Sequence, residues 1–312
     1  MSLLSICQQV ANELGLSEPT SIVGNQDQTA TRLLAVAQTE GQTLARKPQG
    51  GWVSMIREFD FTTTAIASQS GTIANVGGVG VISGLADTTG IVAPFWYAFG
   101  TGVPNNAIVT AVTASTVTFS LPATHTGSGT FQFGQSDYAL PSDFQRPVDG
   151  TMWDRSRYWQ MRGPQSPQQW QLYKSSVIGQ ASVQRRFRFR QEGGQLRFSI
   201  DPVPTDNGSP LVLEYVSNAW CESESGTPQT LWEADTDIGI LDEYLMTLGV
   251  RWRMLRRLGL SYNEEMDEYE QQVRKAMATD GGAAILSIVP NTYEFLLSPA
   301  NIQEASFPGP ST

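Results

Sequence analysis

The sequence predicts an α+β protein: a helical bundle drawn from the N- and C-terminal helices, a small β domain, and an inserted β-sandwich or barrel-like module. Three observations carry this expectation. Apolar residues recur at helical spacing near both ends of the chain. Aromatic and β-branched residues alternate with polar ones in the middle. Between these lies a stretch of Gly, Thr, Ser and Val with almost no charge.

The first segment, residues 1–61, reads as two helices leading into a strand. Leu3, Ile6, Val10 and Leu14 step by three and four, with Ser2 placed to cap the start and Gly15 to stop the end. A second helix is expected from Gln28 to Arg46, with Leu33, Leu34, Ala37 and Leu44 on its apolar side. Pro48 and Gly50-Gly51 end it. Glu58–Thr62 then alternates like a strand. Residues 62–136 form the expected inserted all-β module. Its short runs, such as Val79–Ile82, Ala107–Val112, Thr116–Ser120 and Thr130–Phe133, are separated by turn residues.

Residues 137–220 are the β-rich part of the core. Trp170 and Leu172 read as the start of a strand. Arg186–Arg190 and Leu196–Ile200 read as a hairpin about Gly193-Gly194, with Phe187, Phe189, Leu196, Phe198 and Ile200 on one face. Residues 221–282 read as a helical hairpin. Ile238, Leu241, Leu245, Leu248, Trp252 and Leu255 make one stripe, and Gly259 suits a helix stop. Ser261 and Glu264 have capping-box spacing ahead of a stripe of Tyr262, Met266, Tyr269 and Val273. Residues 283–312 are apolar but punctuated by Pro290, Pro299, Pro308 and Pro310, so an extended arm is expected there.

Charge divides along the same lines. The 312 residues carry 30 acids and 20 bases, a net charge of −10, yet only 16% are charged. Residues 61–136 hold a single formal charge, Asp87. Residues 221–280 hold 13 acids against 6 bases, a net of −7. An acidic helical body bearing two weakly charged surfaces suits an assembly component, and −10 disfavours general nucleic-acid binding. No run of apolar residues is long enough for a membrane helix, and no basic stretch followed by an apolar block opens the chain, so neither membrane nor secretory leader is expected. The two cysteines cannot form a dense disulfide framework.

A single histidine, His125, restricts enzymology. Sites with two His ligands are impossible within one chain, and a Ser-His-Asp triad would have to use His125, which sits in a glycine turn. No catalytic, cofactor or metal site is assigned, and no cofactor is expected. Gly77-Gly78-Val79-Gly80 lacks the Lys-Ser/Thr ending of a phosphate loop.

The N-terminal helix pair leading into Gly51-Trp52 and Phe59-Asp60-Phe61 forms the first of three stretches with a family likeness. The second is Tyr138-Ala139-Leu140-Pro141-Ser142-Asp143-Phe144, and the third runs from Ile240-Leu241-Asp242-Glu243-Tyr244-Leu245 to Gln271-Gln272-Val273. In their order the chain resembles the head-to-tail adaptor, or connector, proteins of short-tailed bacteriophages, the tail tubular protein A-like family. The resemblance implies a non-enzymatic virion protein of the tail or neck, assembled in the bacterial host cytoplasm. It implies a homo-oligomeric ring of twelve subunits between the portal protein and the tail nozzle protein, through which DNA passes without sequence-specific binding. The 62–136 module resembles β modules of phage virion proteins, with tail fibres as a candidate partner.

Two sets of residues are candidates for contact. Ile285, Leu286, Ile288, Val289, Tyr293, Phe295, Leu296, Leu297 and Phe307 would dock the arm on the portal or a neighbouring subunit. Arg186, Arg188, Arg190 and Arg197 would line one hairpin face, as a channel or subunit contact or as a solvated, salt-bridged surface. The alternative function is a glycan hydrolase or glycan-binding tail component. Its basis is the acids Glu222, Glu224, Glu233, Asp235 and Asp237 and the aromatics Trp153, Tyr158, Trp159, Trp170 and Tyr173.

Overall fold

A computed structural model describes residues 2–47, 52–175 and 184–280. Along the chain run α1 (Leu3–Glu13), α2 (Gln28–Ala45), β1 (Ile56–Thr62), β2 (Ala65–Val76), β3 (Val79–Ser83) and β4 (Trp96–Gly100). There follow β5 (Val109–Val112), β6 (Thr116–Phe119), β7 (Gly127–Gln135), β8 (Asp137–Ala139), β9 (Phe144–Pro147), β10 (Trp153–Asp154) and β11 (Trp159–Gln160). Then come α3 (Pro167–Ser175), β12 (Arg186–Glu192), β13 (Gln195–Asp201), β14 (Pro210–Ser217), β15 (Cys221–Glu222), β16 (Pro228–Gln229) and β17 (Ile238–Gly239). The last described elements are α4 (Glu243–Leu258) and α5 (Asn263–Asp280). The class is mixed α+β.

The chain divides into two compact units, and β1 and β14 carry it from one to the other. The first unit comprises residues up to Arg57, Asp143–Pro147, and those from Tyr215 onward. In it α4 packs against α1, α2 and α5. The stripes meet in a core that includes Leu3, Ile6, Val10, Leu33, Leu44, Leu245, Leu248, Trp252 and Val273. Each start has its cap: Ser2 accepts from the Ser5 amide, Asp27 from the Thr29 and Ala30 amides, and Asp242 from the Leu245 amide. Gly259 closes α4 in the left-handed conformation, φ 75°.

Glu40 lies fully buried on the inner side of α2. Its carboxylate accepts from the Tyr269 hydroxyl of α5 and from Arg253 Nε of α4, both at 2.5 Å. Gly249 makes room for it, since a Cβ there would overlap the carboxylate. Burial, and then the Glu40 charge, hold the Tyr269 phenol well above its ordinary range, so it stays a donor.

Asp143 accounts for the end of the Tyr138–Phe144 stretch. Its carboxylate accepts from the Tyr215 hydroxyl at 3.0 Å and the Ser217 hydroxyl at 2.6 Å, with Arg57 at 3.8 Å. The next residue, Phe144, stacks on Tyr215 with centroids 5.4 Å apart.

In the second unit, β2 to β7 form one antiparallel sheet in the order β4-β7-β2-β3-β6-β5. It curls so that its two edge strands meet at a bridge between Tyr97 and Ile108. The module is thus a single curled, barrel-like sheet and not a two-sheet sandwich. Its own core gathers Ile73, Ile82, Trp96, Phe119, Phe131 and Phe133, among others. A second sheet, β12-β13-β8, supplies a separate aromatic cluster in which Phe187 and Phe198 stack at 5.1 Å.

Three local expectations are corrected. Trp170 and Leu172 lie in α3, not in a strand. Pro167 occupies the first helical position, and Ser166 and Gln169 exchange side chain-to-amide bonds at 3.2 Å, a capping box. The α4 helix starts at Glu243, because Ile238 is paired with Glu222 in a short strand. The α5 helix starts at Asn263, which puts Tyr262 and not Ser261 at the cap position.

Candidate interaction surface

The most strongly patterned surface feature is the β12–β13 hairpin. Alternation of Arg with Phe sends the two residue types to opposite faces. Gly193 and Gly194 form the two-residue turn, both with positive φ (63° and 79°), as the twist of a tight hairpin requires. The register pairs Arg186 with Asp201, Arg188 with Ser199 and Arg190 with Arg197. The opposite face buries Phe187, Phe198 and Ile200, whereas Leu196, beside the turn, is exposed.

The arginine face is not simply solvated. α3 and the residue just before β4, Phe95, bring aromatic rings onto it. Arg186 lies 3.8 Å over Tyr173, Arg188 lies 4.4 Å over Trp170, and Arg197 lies 3.5 Å over Phe95. Lys174 sits 4.7 Å over Tyr97 and 2.8 Å from Asp201. Arg190 pairs with Asp137 at 3.2 Å and with Glu192. Burial and the neighbouring Arg190 charge lower the Arg188 pKa. A row of like charges is thus covered by rings, and among the described residues fewer carboxylates than cations lie on it.

Two of the five acids behind the glycan-hydrolase alternative have structural work. Asp235 accepts from the Ile22 and Val23 amides at 3.0 and 2.7 Å. Asp237 is buried and accepts from the Glu233 and Ala234 amides. The five aromatics do not share one element: Trp170 and Tyr173 cover arginines from α3, whereas Trp153, Tyr158 and Trp159 belong to the β10–β11 hairpin. Trp153 is 43% and Tyr158 60% exposed. His125 is exposed in a turn. Cys7 and Cys221 are buried and free, and burial pushes both thiols up to about 12. Among the described residues, no group of three His, Cys, Asp or Glu could hold a metal, and no helix is long and apolar enough to cross a membrane.

Two further hollows lie within single units. One, about 660 Å³, is lined by uncharged side chains of the curled sheet, including Ser70, Thr72, Thr101 and Thr130. The other, about 160 Å³, is lined by Leu44, Trp52, Leu241, Leu245 and Ala276, with Asp280 at its edge. Asp280 is the last described residue. The candidate arm residues, Ile285, Leu286, Ile288, Val289, Tyr293, Phe295, Leu296, Leu297 and Phe307, lie outside the described residues.

The chain matches the family model of the SU10 adaptor protein over residues 103–291. That is more than half of the chain. The protein belongs to the SU10 adaptor family. It is therefore a phage structural adaptor and a virion component. The match opens inside the curled sheet, taking in β5 to β7, the arginine hairpin, α4 and α5 of this SU10 adaptor family member. No curated protein matches the chain.

Sequence reasoning missed α3 as the cover of the arginine face and Glu40 as the buried tie between helices. Both left a signal. Ser166-Pro167-Gln168-Gln169 is a helix-start pattern, and Glu40 interrupts the apolar stripe between Ala37 and Leu44.

Proposed function

We propose that this adaptor is the head-to-tail connector of a short-tailed phage, of the tail tubular protein A-like type. Twelve copies form a ring between the portal protein and the tail nozzle, and DNA passes through the ring without sequence-specific contact. The observation that carries this reading is the adaptor family match, which spans the hairpin and both C-terminal helices. The acidic net charge supports it, because a negative lining repels DNA phosphates and limits sticking during passage.

The four helices serve as the bundle core of each subunit. The segment 283–312 serves as the arm, laying spaced apolar side chains on the portal or on a neighbouring subunit. The 62–136 module is an insertion that presents an uncharged surface to another tail part, such as a fibre. Deleting residues 283–312 tests the arm: portal binding in a pull-down should be lost, and unchanged binding refutes that role. Cryo-EM of the virion, or of a mixture with the portal, tests the ring. A protein that shows no rotational assembly in either setting refutes the proposal.

A further inference from the structure

Arg188 and Arg197 are cations that rings of the second unit cover, and among the described residues neither has a direct ion pair. On the same face Arg186 has Asp201, Arg190 has Asp137 and Glu192, and Lys174 has Asp201. Among the described residues, no carboxylate lies within ion-pair distance of Arg188 or Arg197. Their Nε atoms are shut away from water with no acceptor. Among the described residues their terminal nitrogens have no hydrogen-bond acceptor and are not among the buried unpaired atoms, so these are the atoms left to bind. The strand register makes the two residues diagonal neighbours on one sheet face, their Cα atoms about 7–8 Å apart. Trp170 and Phe95 fix the planes of the two guanidinium groups. Two preset, weakly hydrated forks at this spacing suit two carboxylates.

The chain carries a matching pair. Glu264 and Asp267 lie three residues apart near the start of α5, so they share a helix face. Both are exposed, and among the described residues neither has a cation within ion-pair distance. Their neighbours differ in this respect: Glu268 holds Arg251 at 2.9 Å, and Glu270 holds Lys47 at 2.7 Å.

We propose that the Arg188–Arg197 pair of one copy binds Glu264 and Asp267 of a second copy. A contact between two different patches of identical chains is heterologous, and repeating it generates a ring where the rotation closes. The proposal rests on the ring reading above and names the residues that make its subunit contact. It also assigns the surplus charge of the arginine face to protein and not to DNA.

Charge swapping tests it, read by sedimentation velocity of the full chain at low and high salt. Circular dichroism establishes that each variant is folded. The wild type should associate at low salt and dissociate at high salt. R188E/R197E should weaken association about 100-fold or more, and so should E264R/D267R. Combining all four substitutions should restore it to within about tenfold of wild type. Undisturbed association of either double variant, failure of the combination to recover, or a wild type that stays monomeric at every salt concentration overturns the pairing. Loss of duplex DNA binding by R188E/R197E with self-association unchanged makes the anion a phosphate, and also overturns it. Rings seen by imaging alongside swap-insensitive association would sink this pairing alone. Swap-dependent association without rings beside the portal would sink the connector reading alone.

Discussion

Replacing Glu40 by Gln isolates the charge at the centre of the helical unit. The shape is kept, and the amide oxygen can still accept from Tyr269. The amide nitrogen, however, would face Arg253 Nε, donor against donor, where the carboxylate accepts at 2.5 Å. Breaking a buried ion pair by removing one partner costs roughly 3–5 kcal/mol. Arg253 keeps 17% of its side chain exposed and recovers part of its hydration, so about 3 kcal/mol is expected. For a unit of this size that corresponds to a fall in Tm of about 6–12 °C. Urea unfolding followed by circular dichroism at 222 nm reads the helices directly. Arg251→Ala is the control: Arg251 pairs with Glu13 and Glu268 across a wetter surface, and its loss should cost less than about 1 kcal/mol. If Glu40→Gln costs no more than Arg251→Ala, the carboxylate does not tie the three helices and the reasoning fails.

Gly249→Ala pushes a methyl group into the same carboxylate and should cost about 1–3 kcal/mol in the same urea assay; a neutral result would mean that α2 and α4 can separate freely. Cys7 and Cys221 should resist a thiol reagent at pH 8 in the folded protein and give two reactive thiols in denaturant; rapid labelling of the native chain would contradict their burial. Stability should fall on the alkaline side. The unfolded chain sheds thiol and phenol protons from their ordinary values of 9.0 and 10.0, whereas folding pushes Cys7, Cys221, Tyr97 and Tyr138 up to about 12. Between those limits the unfolded state binds fewer protons, so urea midpoints should drop steadily from about pH 9 to pH 12.

Periodicity revealed the elements whose partners are local or whose stripe is uninterrupted. The α1 and α2 helices, the arginine hairpin and most strands of the curled sheet follow from spacing and turn residues alone. Trp96–Gly100 did not, because its aromatic run carries no clear alternation, and its place as an edge strand depends on pairing with the distant β7. The α4 stripe extended too far because Ile238 keeps helical phase with Leu241 while its backbone is taken by Glu222. The candidate surface was half legible. The alternation showed that four arginines share a face, but not that Trp170, Tyr173 and Phe95 would cover it, since those contacts join segments far apart in sequence. That Arg188 and Arg197 have rings but, among the described residues, no carboxylate within ion-pair distance is likewise a tertiary fact, visible only by subtracting the carboxylates that fold onto their neighbours.

The tie at Glu40 also sets a timetable for synthesis. Glu40 and Tyr269 are 229 residues apart in sequence. At a translation rate of about 5–20 residues per second, α2 waits about 10–45 s on the ribosome for α5 to be made. Until α4 and α5 are made its carboxylate lacks both Arg253 and Tyr269, whereas the curled sheet has all of its strands once Gln135 is made. A chain cut short between β14 and α5 carries a finished sheet on an unfinished helical half. Such a fragment lacks Glu264 and Asp267 along with Tyr269, so incomplete subunits present only one side of the proposed contact and cannot pass the ring on to a next neighbour.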